Sequence, residues 1–258
     1  NKLDQMTDTT GGRPIIQLNH PRWSEDEKAS TPEKLRGRDY GQKAFKDQDE
    51  WRERFGKYAS QLEILSGEAT KEVPTGEFKS HAIHAKDFAG YLDKGLHISP
   101  TFGRDSHYCD PVGVPAATGV FAENLDKKSI LDALRERRTI ATMNREALAG
   151  FMVMNDKHVM GAVVDEKDAP DVHLSVTVSS DIQSDAKYTA ILWADQNIGD
   201  GTLAEKMQTI NITGEDLAAR KNHIKFHGIE HTAGNKGAYY VEVQRKDAGA
   251  TKAIRMWT

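Results

Sequence analysis

The segment His173-Leu174-Ser175-Val176-Thr177-Val178-Ser179 alternates polar and apolar residues without a break. Successive side chains on a β-strand face opposite ways, so this pattern suits a strand with one wet and one dry face. Stretches of Tyr188 to Trp193, Met207 to Ile212 and Tyr239 to Gln244 repeat the alternation. Turn residues separate them, at Asn197-Ile198-Gly199-Asp200-Gly201 and at Gly234-Asn235-Lys236-Gly237. Short alternating strands joined by Gly-rich turns predict an antiparallel β-sandwich. The texture sets in near residue 148. The chain therefore divides into an N-terminal region, 1–147, and a C-terminal β region, 148–258.

The N-terminal region mixes two periodicities. Pro14-Ile15-Ile16-Gln17-Leu18 reads as a short buried strand, and Pro21 stops it, which leaves His20 at the strand's C-terminal tip. Trp51, Phe55 and Tyr58 fall at helical spacing and predict helix from Glu50 to Tyr58. Gln61-Leu62-Glu63-Ile64-Leu65-Ser66-Gly67 reads as a second strand. His81 to Leu92 predicts a helix with Ile83, Phe88 and Leu92 inside, stopped by Gly95. Leu96-His97-Ile98-Ser99 reads as a third strand, and 108–122 as loop. Lys127 to Arg138 predicts a helix with an Ile130, Leu131 and Leu134 stripe. Its C-terminus carries Arg135, Arg137 and Arg138, where the macrodipole favours cations.

Strand–loop–helix units followed by an all-β region define an α/β chain. Reactive residues in such folds gather at the C-terminal ends of strands. His20 stands at one such end. Phe102-Gly103-Arg104-Asp105-Ser106-His107 follows another and offers Asp105 and His107 from a single loop. A carboxylate and imidazoles arriving from two strand tips suit a divalent metal. A polar turn closed by an Asx-type bond from Asp105 is the ordinary alternative. Arg104 adjoins the pair and could bind an anionic oxygen. Glu63 lies inside its strand, facing solvent or a barrel rim, or else touching substrate or orienting a ligand; with Arg104 it is a candidate catalytic residue. His81 and His84 stand three apart on the expected helix, where a solvated face is the ordinary reading. His223, His227 and His231 are spaced by four, but Gly228 and the β texture weaken a helical reading.

Composition excludes some partners. With 258 residues, 38% hydrophobic and 29% charged, the chain can build a substantial core. A net charge of −4 with no basic stripe disfavours nucleic acid. No apolar run approaches the ~20 residues of a membrane span. The one cysteine, Cys109, forbids an intrachain disulfide.

The motifs together resemble a known family. Ile16-Gln17-Leu18-Asn19-His20-Pro21-Arg22-Trp23 is similar to the strand and His-Pro motif of PHP-type (polymerase and histidinol phosphatase) metallohydrolases. Phe102 to His107 resembles that family's closing Asp-x-His motif. Leu62 to Gly67 resembles its Glu-Ile-x-Asn-Gly strand, and Ile130 to Thr142 its RRTxAT exit. Ile254-Arg255-Met256-Trp257-Thr258 resembles the end of the carbaryl-hydrolase-like branch. The resemblance implies the second half of a distorted (β/α)7 barrel followed by the β-sandwich. It implies a metal-dependent hydrolase acting on a small-molecule phosphoester or a related ester, amide or carbamate. Two or three zinc, manganese or iron ions would be held in part by His20, Asp105 and His107. The alternative function is a non-catalytic binding or structural module.

The family opens with His-x-His, and no His-x-His occurs here, His20 being the first histidine. The expectation is therefore a chain that pairs with an N-terminal half-barrel, or with itself, for activity. Exposed strand edges in an open half-barrel argue the same way. Asn1 is neither an initiator Met nor the start of a signal peptide, which suggests a chain beginning inside a longer precursor. Relatives in this branch imply an exported or periplasmic location.

Overall fold

The computed structural model describes residues 5–6, 12–21, 45–67, 81–104, 115–165, 167, 172–178, 181–231 and 234–258. The chain is mixed α/β and strand-rich. Three parallel strands organise the first part: β1 (Ile16–Leu18), β2 (Ala59–Gly67) and β4 (Ser99–Gly103). β2 is buried along its whole length, with strands paired beside it and helices packed on it. β4 runs along one edge, from Gln61 to Ser66. On the other, β1 pairs at the start of β2, and β3 (His81–Ile83) pairs antiparallel with Leu65 to Gly67.

The helices follow their caps. Asp47 accepts the backbone N–H of Glu50 at 2.9 Å and opens α1 (Gln48–Trp51), which widens into a π-helical turn at Arg52–Gly56. The helix expected through Tyr58 thus ends earlier, though Trp51 is buried and stacks on Phe55 as the spacing implies. α2 (Ala85–Asp93) is shorter than its sequence pattern, because His81 to Ile83 is drawn into the edge of β2 instead. Phe88 and Leu92 face inward as expected. Gly95, at φ +79°, ends the helix, with Leu96 N–H bonded to the carbonyl of Tyr91. That is a left-handed glycine cap. Asp126 caps α3 (Lys127–Arg135), which stops three residues short of Arg138 because Arg137 turns to φ +62°.

The alternating stretches are strands. β9 (Val172–Val178), β10 (Lys187–Asp195), β11 (Glu205–Thr213) and β13 (Ala238–Lys246) are joined by β7 (Gly150–Met154), β8 (His158–Val159), β12 (His223–Ile229) and β14 (Ile254–Trp257). A short helix, α4 (Gly214–Ala219), follows β11. Every second residue of β9 is buried, as its periodicity requires. β12 also disposes of the four-residue histidine spacing: His223 is on a strand, its Nδ1 3.0 Å from the Thr177 hydroxyl.

One six-stranded sheet has the order β11-β10-β13-β14-β6-β5, where β5 is Ala117–Val120 and β6 is Thr139–Thr142. The other has the order β12-β9-β7-β8. β5 replaces part of the loop expected over 108–122; it forms because β6 offers it an antiparallel edge. β6 in turn pairs with β14, so the sheet crosses residue 148. Both sheets contribute to one core, including Val176, Phe226, Tyr188, Leu192, Val243 and Met256. A second core centres on β2 and α2, with Leu62, Ile64, Trp51, Phe88 and Trp257. No described helix is long and apolar enough to cross a membrane.

Candidate functional site at the strand tips

β1, β2 and β4 run parallel, so their C-terminal ends lie at one end of the sheet. His20 stands two residues beyond β1 with φ +49°, a region that a non-glycine residue adopts only when its surroundings hold it there. Glu63 of β2 provides that hold. Its Oε2 accepts the His20 backbone N–H at 2.6 Å and lies 3.2 Å from His20 Nδ1. The backbone contact belongs to the short, charge-assisted class.

Glu63 does not face solvent, one of the two placements its sequence position suggested. It is 1% exposed, and a buried carboxylate must be hydrogen-bonded or paired to offset its desolvation. Gly103, the last residue of β4, makes room for it: a Cβ there would stand 1.9 Å from Glu63 Oε1. The β2–β4 register also shifts between Glu63 and Leu65, an irregularity that re-aims side chains. Thr101 pairs with Glu63 across the strands, and its buried hydroxyl has no hydrogen-bond partner among the described residues. Local sequence shows Glu63 between apolar neighbours, Leu62 and Ile64, but not that its carboxylate fills the space of Gly103's missing side chain.

Arg104 follows directly on β4 and is half-buried. Asp105 and His107, the other two expected metal ligands, lie outside the described residues, as do Trp23 and Cys109. Among the described residues no three His, Cys, Asp or Glu side chains gather to hold a metal. No protein-family model, curated protein or solved structure matches this chain.

The His20–Glu63 pair has a defined chemistry all the same. A carboxylate beside Nδ1 favours the tautomer with its proton there and the lone pair on Nε2, the arrangement found where histidine ligates a cation. His84, weighed as a second ligand, instead precedes α2, with Nδ1 3.7 Å from Asp87 Oδ2. His81 is on β3 and not on the helix, so the expected three-residue helical spacing between the two is lost.

A cavity of about 630 Å³ lies elsewhere, between the approach to β4 and the β7–β8 hairpin, with Leu96, Ile98, Met152 and Tyr240 in its walls. Neither His20 nor Glu63 lines it. His97 does, and desolvation, then the charges of Arg137 and Lys236, hold its imidazole below the usual histidine range.

Proposed function

We propose that the strand tips form part of the site of a PHP-type metal-dependent hydrolase. The observation that carries this reading is the buried Glu63 carboxylate fixing His20 at the C-terminal ends of parallel strands. In this reading the parallel strands are the second half of a distorted (β/α)7 barrel, and the two later sheets form an antiparallel β-sandwich upon it. His20 would hold a divalent ion, zinc, manganese or iron, through Nε2. Asp105 and His107 would complete this chain's share of a two- or three-metal site. Such a metal supplies a water of lowered pKa and charge stabilisation for phosphoryl or acyl displacement.

The chain's own residues have simpler tasks. Glu63 accepts a hydrogen bond from Nδ1–H and keeps the ring aimed. Arg104 neutralises an anionic substrate oxygen. Gly103 leaves space for the Glu63 carboxylate, so its fixed position depends on the absence of a side chain. An N-terminal half-barrel, or a second copy of the chain, supplies the remaining ligands.

The test supplies the chain with an N-terminal half-barrel carrying His-x-His, loads the reconstituted protein with zinc or manganese after chelation, and follows hydrolysis of bis(p-nitrophenyl) phosphate. Stoichiometric metal by elemental analysis and turnover lost in His20→Ala support the reading. Absence of metal from the reconstituted protein, or full turnover in His20→Ala, overturns it. A second reading, a non-catalytic binding module, is favoured by one observation: the cavity lies away from the strand tips. It predicts that His20→Ala leaves metal content unchanged.

A further inference from the structure

The cavity beside β4 joins an apolar interior to a cationic mouth. Phe88, Leu96, Ile98, Met152 and Met160 line it and are themselves buried, so its inner wall is part of the core. Arg52, Arg137 and Lys236 also line it, against a single carboxylate among the described residues, Asp165. Arg137 donates from Nε and Nη2 to the carbonyl of Gly161 and from Nη1 to that of Arg135. A guanidinium carries five N–H groups, so two remain for an incoming acceptor.

Val163, 65% exposed, also lines the cavity, an apolar side chain left at its edge. Ligand sites combine this kind of apolar wall with a few converging polar groups, and their volumes fall in the same range.

We propose that this cavity binds a small amphipathic organic acid, its anionic head at Arg137 and Lys236 and its apolar body against Met152, Met160 and Leu96. Charge complementarity selects the anion, and wall composition selects the apolar body. The assignment is independent of the strand-tip chemistry, since no residue of that pair lines the cavity.

Isothermal titration of the metal-free chain with four probes tests it: decanoate, decanol, decyltrimethylammonium and acetate. Decanoate is expected to saturate one site, to bind about tenfold more tightly than decanol, and to weaken as salt is raised. Acetate and the cation are expected not to bind. Lys236→Glu should weaken decanoate about tenfold while leaving decanol unchanged. Ala162→Trp, at an exposed lining position, should block both. Equal affinity for decanol and decanoate, absence of decanoate binding, or undiminished binding in both variants overturns the proposal. None of these readouts involves metal or hydrolysis, so failure here leaves the hydrolase reading standing and the reverse also holds.

Discussion

Arg137 donates two hydrogen bonds to the carbonyl of Gly161, at 3.1 Å from Nε and 2.8 Å from Nη2. This clamp fixes the segment after β8 against the turn that ends α3. Gly161 is at φ +84°, and a Cβ there would lie 2.0 Å from the carbonyl oxygen of Glu136. Both backbone conformation and close approach therefore demand glycine.

Gly161→Ala is expected to cost about 2–3 kcal/mol, the sum of left-handed strain and a backbone clash. Gly249, at φ +75° with nothing near its missing Cβ, provides the control. Gly249→Ala should cost only about 1 kcal/mol. Urea denaturation of both variants measures the difference, and equal losses would show that the close approach is unimportant.

Gly103→Ala is expected to displace the Glu63 carboxylate, because the two would compete for one space. A loss of about 1–3 kcal/mol should appear in thermal unfolding. Glu63→Gln is a milder probe. It preserves volume and an acceptor for the His20 N–H but removes the charge. Global stability should change little, while metal affinity of the reconstituted protein should fall about 10–100-fold, as for other partners that orient a ligand.

Asp195 is 4% exposed, and one carboxylate oxygen has no hydrogen-bond partner among the described residues. Burial, opposed by the Asn197 N–H and reinforced by Asp93 and Asp200, holds its carboxyl above the ordinary range. The native state therefore binds this proton more tightly than the unfolded chain. Stability contributed here is present below the unfolded value and is lost as pH rises through the native one. Asp195→Asn keeps an acceptor for Asn197 and removes the charge. At pH 7 it should raise Tm by roughly 2–4 °C at most, a gain that disappears at pH 3. A Tm difference independent of pH would contradict the assignment.

His97 tests the geometry of the cavity mouth. Desolvation, Arg137 and Lys236 hold its pKa down, so the unfolded chain binds the proton more tightly. Stability from this residue rises with pH through the window between the native and ordinary histidine values. Lys236→Gln should move the His97 titration, followed by proton NMR, upward toward that ordinary value. An unmoved titration would separate Lys236 from the mouth.

Residue order alone determined the elements whose face is written in their own periodicity. β9 and β10 alternate in burial as His173 to Ser179 and Tyr188 to Trp193 alternate in polarity. Phe88 and Leu92 turn inward at helical spacing, and Gly95 stops the helix. The placement of His20 beyond β1 was also legible, since Pro21 cannot extend a ladder.

Tertiary structure decided the pairings. His81 to Ile83 suits a helix locally and becomes β3 because β2 has an unfilled edge. Residues 117–120 look like loop and become β5 because β6 lies beside them. β6 joins β14 across residue 148, where local texture suggested a boundary. Glu63 looks like a solvent-facing carboxylate until the missing side chain of Gly103, forty residues on, gives it a buried place beside His20. Periodicity specifies which face of an element is apolar. It carries no record of which distant edge, or which absent Cβ, that face will meet.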